Sequence, residues 1–403
     1  MLLNNRIDQP LLNSRNLRWL LIIGVILVGA NLRVPLTSAG ALVSFIRDDF
    51  GISNALAGAI TTLPLIAFAL LSPFAPKIAN KIGMERTIAI SLALLIIGIL
   101  IRSAGAIELL FTGTLLVGLG IAVGNVLIPG IIKMNFPFKI GLMTGLYAIA
   151  MNVFGALGSG LSIPIATSGS FGWRGSLVIW SGLVLITLLI WLPQLMKKHD
   201  AKKKINNQKI GGMLRSPLAW KITVFMGAQS LIFYTLITWL PTILTANGYD
   251  IHLAGWGVFI FQFASIPFTF IIPVIADRMK NQVMLAFVCS GLILAGIIGL
   301  LAGLSELSML WVVFLGIGNG SAFSLSMMFF TLRTKDGYEA AELSGMAQSL
   351  GYLLAAVGPV LVGGLQDITG SWTPPLAMMA LFAIVMLIMG VASGKNKQVS
   401  GNL

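Results

Sequence analysis

The chain has 403 residues, of which 57% are hydrophobic and only 10% are charged. Soluble globular domains carry about a quarter charged residues, so this composition excludes an ordinary soluble enzyme or binding module. The formal net charge is +13, but the basic residues flank apolar segments and form no stripe interleaved with aromatic residues. This distribution favours a membrane surface as their partner and argues against nucleic acid.

Twelve apolar stretches follow one another along the chain, each about 18–27 residues long, the length that a transmembrane helix needs. They cover residues 19–42, 55–75, 87–104, 109–132, 140–163, 175–195, 218–244, 254–276, 283–304, 308–332, 340–364 and 374–392. We therefore predict an all-α integral membrane protein with twelve transmembrane helices. The polar first 18 residues and the long first stretch argue against a cleaved signal peptide.

The basic residues predict the orientation. If the amino terminus is cytoplasmic, most of the 26 Lys and Arg residues fall in cytoplasmic segments, and Arg47, Arg102 and Arg174 fall outside. The reverse threading would invert the positive-inside rule. We predict a protein of the plasma (inner) membrane with both termini cytoplasmic, whose basic loops contact the anionic lipids of the inner leaflet.

The basic segment 196–217 divides the chain into two sets of six predicted spans, 1–195 and 218–403. Short motifs recur in the two sets, in the same order, at offsets of 197 to 200 residues. The pairs are Gly29-Ala30-Asn31 with Gly227-Ala228-Gln229, 76–81 with 273–278, Gly118-Leu119-Gly120 with Gly316-Ile317-Gly318, and Thr144-Gly145 plus Gly158 with Ser344-Gly345 plus Gly358. A duplicated six-helix unit around a central site is typical of transporters.

Arg33 lies in the middle of the first predicted span, 14 residues after Trp19, or roughly 21 Å at about 1.5 Å per residue. A guanidinium at that depth costs at least about 2.5–3.5 kcal/mol and indicates a functional site. All 13 acidic residues fall in or near loops, so the sequence offers no carboxylate partner at this depth. Either carbonyls and amides satisfy the charge, or a substrate anion does. A planar oxyanion or carboxylate would match the fork of guanidinium donors.

Other polar residues at comparable depth predict a central polar cavity. Pro35 and Pro129 remove the backbone donors that would bond the carbonyls of Asn31 and Asn125, which is tolerated where the helix faces protein or a water-filled cavity. A simple packing kink is the alternative. The candidate substrate-binding residues are Arg33, Asn31, Thr37, Asn125, Tyr147, Asn152, Gln229, Tyr234, Gln262, Asn319, Gln348 and Tyr352. Each of them could instead form an interhelical hydrogen bond.

We predict no catalytic residue, no cofactor and no metal. Cys289 is the single cysteine, and neither His199 nor His252 has a metal-ligand neighbour. The predicted spans contain no paired Asp, no His-x3-His and no nucleophile elbow. The lack of an intramembrane carboxylate also disfavours a carboxylate-driven proton symporter and favours facilitated flux, exchange or export.

The six-plus-six organisation and the basic central segment resemble the major facilitator superfamily across essentially the whole chain. The loop between spans 2 and 3 of that superfamily typically reads Gly-x3-Asp-Arg-x-Gly-x-Arg-Arg, and residues 76–86 are a degraded copy with Asn80 in place of Asp. By this resemblance the gating loops contain Lys81, Arg86, Asp277 and Arg278. The run Ala-Asn-Leu-Arg-Val-Pro-Leu-Thr-Ser at 30–38 is similar to the first-span signature of the cyanate permease and nitroimidazole transporter branch, which implies a small substrate.

We therefore predict an alternating-access secondary transporter, functional as a monomer, for a small anionic or weakly acidic solute such as a cyanate-like oxyanion or a small carboxylate. The alternative is an exporter of small neutral heterocycles such as nitroimidazole-like compounds, in which the amides would recognise the solute. A membrane sensor or an intramembrane enzyme is disfavoured, because the longest predicted loop, 196–217, is too short for an output domain.

Overall fold

The structure is a computed structural model that describes residues 14–52, 54–168, 172–196, 212–303 and 305–399. Most of the predicted basic linker 196–217 lies outside these residues. The described residues form helices and no strand. The α-helices are α1 Ser14–Ala41, α2 Val43–Phe50, α3 Asn54–Leu71, α4 Ala75–Ile82, α5 Met84–Arg102, α6 Ile107–Asn135, α7 Ile140–Thr167, α8 Gly172–Trp191, α9 Gly212–Arg215, α10 Pro217–Ala246, α11 Ile251–Arg278, α12 Val283–Leu301, α13 Ser308–Leu332, α14 Gly337–Thr369 and α15 Thr373–Ser393.

Eleven helices of the described chain are long and apolar enough to cross a membrane, and α3 with α4 forms a further span that bends by 56°. The bend falls at residues 72–74, where Pro73 has no N–H to continue the helix. With this pair counted as one span, the twelve predicted spans are α1, α3 with α4, α5 to α8, and α10 to α15. The first half of the molecule is α1 to α8, and the second half is α10 to α15.

The repeated glycine motifs occupy equivalent packing positions in the two halves. A Cβ added to Gly118 in α6 would lie 2.8 Å from a side chain of α3, and one added to Gly316 in α13 would overlap the main chain of α11. Gly120 and Gly318 approach α5 and α12 in the same way. Since α3 and α11 are the second spans of their halves, and α5 and α12 the third, the duplicated motifs reflect duplicated helix contacts.

The two halves meet through a second pair of equivalent contacts. Gly145 of α7 packs against Phe270 of α11, and Gly345 of α14 packs against Ser72 at the bend between α3 and α4. These contacts lie toward the end of the bundle where α6 and α13 finish and where α7 and α14 begin. We call it the basic end, because its turns carry Lys139, Lys335 and other basic residues.

Arg333 closes the basic end of the second half. Its side chain is 2% exposed, and its guanidinium donates to Ser393 O at 2.9 Å, to Gly394 O at 2.9 Å and to Gln282 Oε1. Its own carbonyl accepts from Val399 N at 2.9 Å. Burial lowers the pKa of Arg333 to about 10, so it stays charged at neutral pH and can cap the last carbonyls of α15.

Candidate functional site

A cavity of about 60 Å³ lies between the two halves, beside the middle of α1. A water molecule needs about 10–15 Å³ measured in this way, so the cavity admits several waters or a small solute. Its polar lining residues are Arg33, Asn125, Asn152, Gln229, Ser230, Tyr234, Ser265, Thr269, Asn319 and Tyr352. The remaining wall consists of Leu32, Leu36, Phe68, Met151, Phe233, Gly320 and Phe323.

Arg33 lines this cavity, and its guanidinium has few partners that stabilise its charge. Its Nη1 donates to Asn152 Oδ1 at 3.4 Å, and its guanidinium carbon lies 5.1 Å from the ring centre of Phe233 in the second half. Gly155 makes room for the aliphatic stem, because a Cβ there would come within 2.8 Å of Arg33 Cγ. Among the described residues, Arg33 has no carboxylate within ion-pairing distance. The guanidinium therefore retains donors for a solute.

A second donor lies at the cavity wall in the other half. Gln229 Nε2 donates to Asn319 Oδ1 at 2.6 Å, and Ser230 Oγ donates to Gln229 Oε1 at 3.2 Å. This chain orients the Asn319 amide, whose Nδ2 is buried and has no partner among the described residues. A buried donor normally finds an acceptor, so Asn319 Nδ2 is suited to an acceptor atom of a bound solute.

Sequence comparison identifies the fold family. The sequence profile of the Major Facilitator Superfamily matches residues 21–359. The chain belongs to this superfamily. A solved structure of the superfamily's proton:xylose symporter XylE, bound to 6-bromo-6-deoxy-D-glucose, matches with a TM-score of 0.71 over 96% of this chain and 97% of that chain. Its sequence identity is 14%, so this likeness shows the fold alone. Members of the superfamily are transporters, and the chain is a multi-pass membrane transporter rather than an enzyme.

Three related proteins align along most of their length. The chain is 45% identical to the uncharacterized transporter YycB of Bacillus subtilis (strain 168), over 96% of each protein. It is 39% identical to a 2-nitroimidazole transporter of Escherichia coli (strain K12), over 96% of this chain and 98% of the relative. It is 27% identical to the cyanate transport protein CynX of the same strain, over 91% and 94%. The predicted resemblance to this branch of the superfamily is confirmed.

The cavity of this superfamily member contains seven of the predicted substrate-binding residues, namely Arg33, Asn125, Asn152, Gln229, Tyr234, Asn319 and Tyr352. Two further candidates contact Asn125 from behind the cavity wall. Tyr147 OH donates to Asn125 Oδ1 at 2.9 Å, and Gln348 Nε2 donates to Asn125 O at 2.9 Å.

The other three candidates lie away from the cavity. Asn31 Nδ2 donates to Thr187 Oγ1 at 2.6 Å and so joins α1 to α8. Thr37 Oγ1 donates to Arg33 O at 3.2 Å within α1. Gln262 is exposed on α11. In this structure Asn31 and Thr37 form hydrogen bonds to helix residues, which is the alternative to solute binding that the sequence left open.

The sequence reasoning missed the apolar and hydroxyl residues of the cavity wall, above all Phe233. An aromatic residue within an apolar span looks the same in sequence whether it packs against lipid, helix or solute. Phe233 could have been found only from its position next to Tyr234, which was a candidate because of its hydroxyl group.

Arg102, which the threading placed outside, is the last residue of α5 and is only 1% exposed. Its Nη1 donates to Pro35 O at 2.8 Å, while its Nε and Nη2 have no partner among the described residues. Because Pro35 lies two residues after Arg33, this bond joins the part of α1 beside the cavity to α5. Arg102 is thus a buried cation whose partner on α1 lies two residues from Arg33, although the sequence predicted only that it falls on the outer side of the membrane.

The residues assigned to gating loops lie at the basic end. Lys81, Arg86 and Arg278 are exposed. Asp277 lies close to α7, since a Cβ on Gly141 would come within 2.5 Å of its Cβ. Their role in gating stays a prediction.

Proposed function

We propose that this transporter carries a small anionic or weakly acidic solute, such as a cyanate-like oxyanion or a small carboxylate, with Arg33 as its anchor. The observation that carries this proposal is that Arg33 lines the cavity with a single long bond to an amide and, among the described residues, no carboxylate within ion-pairing distance. A planar oxyanion would accept from the guanidinium fork of the first half and from Asn319 Nδ2 of the second half. The 27% identity to a protein named as a cyanate transport protein agrees with this choice.

Transport then requires the halves, residues 1–195 and 218–403, to rock about the central cavity while 196–217 links them. By the positive-inside rule we expect the basic end and both termini on the cytoplasmic side of the plasma membrane. The contacts between Gly145 and Phe270 and between Gly345 and Ser72 bring the halves together at that end, so the present state is closed toward the cytoplasm.

Energetics constrain the coupling. Bringing a monoanion into a cell at about 100 mV, inside negative, costs about 2.3 kcal/mol. Among the described residues no carboxylate lines the cavity, so the usual proton relay has no counterpart there. Facilitated flux, exchange or export therefore fits the cavity better than symport driven by a buried carboxylate.

A second candidate function is export of small neutral heterocycles such as nitroimidazole-like compounds. It is favoured by the 39% identity to a protein named as a 2-nitroimidazole transporter and by the aromatic wall formed by Phe68, Phe233, Phe323 and Tyr352. A nitro group also presents two coplanar oxygens, which could accept from the same guanidinium. In this case the aromatic rings and amides would provide more of the affinity than the charge of Arg33.

A thermal-shift screen of the purified protein in detergent separates the two functions. Cyanate, nitrate, formate and short carboxylates are compared with 2-nitroimidazole, on the wild type and on Arg33→Leu. A solute at 100 times its Kd stabilises the folded state by about 2.7 kcal/mol, so millimolar binders register at high concentration. Stabilisation by an anion that disappears in Arg33→Leu supports the proposal, which flux of that anion into proteoliposomes then tests directly. Equal stabilisation of both proteins by 2-nitroimidazole, with none by anions, refutes it in favour of the exporter.

A further inference from the structure

Two neighbouring residues of α14 bind main-chain carbonyls of the first half that prolines have left free. In α6 the carbonyl of Asn125 would bond the N–H of residue 129, but Pro129 has none. Gln348 Nε2 of the second half donates to this carbonyl instead, at 2.9 Å. Gln348 is fully buried, so the bond is shielded from water.

The next residue of α14 repeats the arrangement. Ser349 Oγ donates to Ala69 O of α3 at 2.6 Å, and the residue four positions after Ala69 is Pro73. Neither carbonyl has an intrahelical N–H to compete with the incoming side chain. Both halves therefore contribute to these two bonds. The prolines of the first half leave the acceptor carbonyls free, and α14 of the second half provides the donors.

The position of these bonds relative to the cavity gives them a role. The side chain of Asn125 lines the cavity, while its carbonyl holds Gln348 on the side toward the basic end. Closer to that end, Lys133 Nζ of α6 donates to Thr331 O and Thr334 O of α13. These hydrogen bonds join the two halves within the part of the chain that the structure describes. The bond from Gln348 is the one that reaches the cavity wall.

The contact of α7 with α11, which is equivalent to that of α14 with the first half, lacks the corresponding side-chain donors. There α7 meets α11, and the residues of α7 that correspond to Gln348 and Ser349 at the 200-residue offset are Ala148 and Ile149, which have no side-chain donor. Gly145 instead allows close apolar packing against Phe270. Directional bonds thus join α14 to the first half, whereas packing that tolerates rotation joins α7 to the second half.

We propose that Gln348 and Ser349 form the inner latch of the closed basic end, and that Pro129 and Pro73 exist at their positions to provide its acceptors. Passage of a solute from the cavity toward the basic end requires the latch to open, with α14 moving away from α6 and α3. The inference rests on the alternating access described under the proposed function, but not on the identity of the solute.

The test measures the separation of the halves without any solute. Spin labels are attached at Phe138→Cys and Lys335→Cys in a Cys289→Ser background, since Phe138 is 95% exposed, Lys335 is exposed and the native thiol is buried. Double electron–electron resonance then gives the distance distribution across the basic end. Loss of one hydrogen bond is expected to raise the ratio of wide to narrow distances by roughly two- to tenfold.

Three variants probe the latch from both sides. Gln348→Leu and Ser349→Ala remove a donor. Pro129→Ala leaves α14 unchanged but restores the N–H that can bond the carbonyl of Asn125 within α6, in competition with Gln348. It therefore tests the same bond if Gln348→Leu does not fold. Ser344→Ala is the matched control, because it removes only the acceptor that Gln348 uses within α14, at 2.8 Å.

All three variants should widen the distribution, and the control should not. Unchanged distances in Pro129→Ala and Gln348→Leu would overturn the latch. Because the measurement contains no solute, it remains decisive even if the anion proposed as substrate turns out to be wrong.

Discussion

Replacing Arg33 by methionine should stabilise the unliganded protein while it abolishes binding of an anion. The guanidinium is held by one 3.4 Å bond to Asn152 and by the ring of Phe233 at 5.1 Å. Methionine keeps an apolar stem of similar length over Gly155 and removes the charge. The protein thus carries an under-compensated cation whose value appears only when a solute is bound.

The magnitude follows from three terms. A guanidinium at mid-membrane depth costs about 2.5–3.5 kcal/mol on insertion scales. A partly exposed cation–π contact returns about 0.5–1 kcal/mol, and a long amide bond returns about 0.5 kcal/mol. About 1–2.5 kcal/mol remains, and water in the cavity screens the charge and reduces this cost to about 1 kcal/mol. For a chain of this size that corresponds to a rise of about 1–3 °C in the unfolding midpoint.

The assay is thermal unfolding of wild type and Arg33→Met in the same detergent, with and without cyanate. Leu36→Met, on the same helix and the same cavity wall, is the control and should change the midpoint little. A fall in the midpoint of the unliganded Arg33→Met protein would refute the reasoning, since it would mean that the native structure already compensates the charge.

Three further predictions concern neighbouring features. Gly155→Val should displace Arg33 and weaken anion binding at least about tenfold in a ligand titration, with the protein still folded, because the new Cβ would lie 2.8 Å from Arg33 Cγ. Arg333→Met should destabilise the protein by about 3 kcal/mol in thermal unfolding, since it leaves buried carbonyls at the end of α15 unpaired. Asn31→Ala should cost about 1 kcal/mol through its lost bond to Thr187, yet leave the Kd for solute unchanged; a weakened Kd would return Asn31 to the binding site.

The fold was predictable because its determinants are local or periodic. Span length fixed the helices, and the repeated pairs Gly118-x-Gly120 and Gly316-x-Gly318 marked the same helix contacts in both halves. The bend between α3 and α4 escaped prediction, although Pro73 causes it, because an uninterrupted apolar stretch reads as one straight helix.

The site was predictable only in part, and the reason is physical. Arg33 stood out because a charge in an apolar span has a cost that must be explained. Depth in the membrane does not give direction around the helix axis, so Asn31 and Gln262 looked as suitable as Asn152. The carbonyl of Asn125 was recognised as free from Pro129 alone, but its partner Gln348 lies 223 residues away and depends on how the halves meet.

The two halves repeat each other in their helix packing but differ in the charge that they place at the cavity, and this difference explains how a solute could drive the change between conformations. The repeat counterpart of Arg33 at the 198-residue offset is Leu231, so Arg33 of the first half is the one cation among the described residues that line the cavity. The amide donor of Asn319, which has no partner in the described part of the chain, belongs to the second half. An anion that binds both donors joins the halves across the cavity, and it favours whichever conformation brings the donors closest together. A ligand can shift a conformational equilibrium only by its difference in affinity for the two states. Because the two donors sit on opposite halves, that difference is largest for a solute with at least two acceptor atoms, which is a property that cyanate, carboxylates and nitro compounds share.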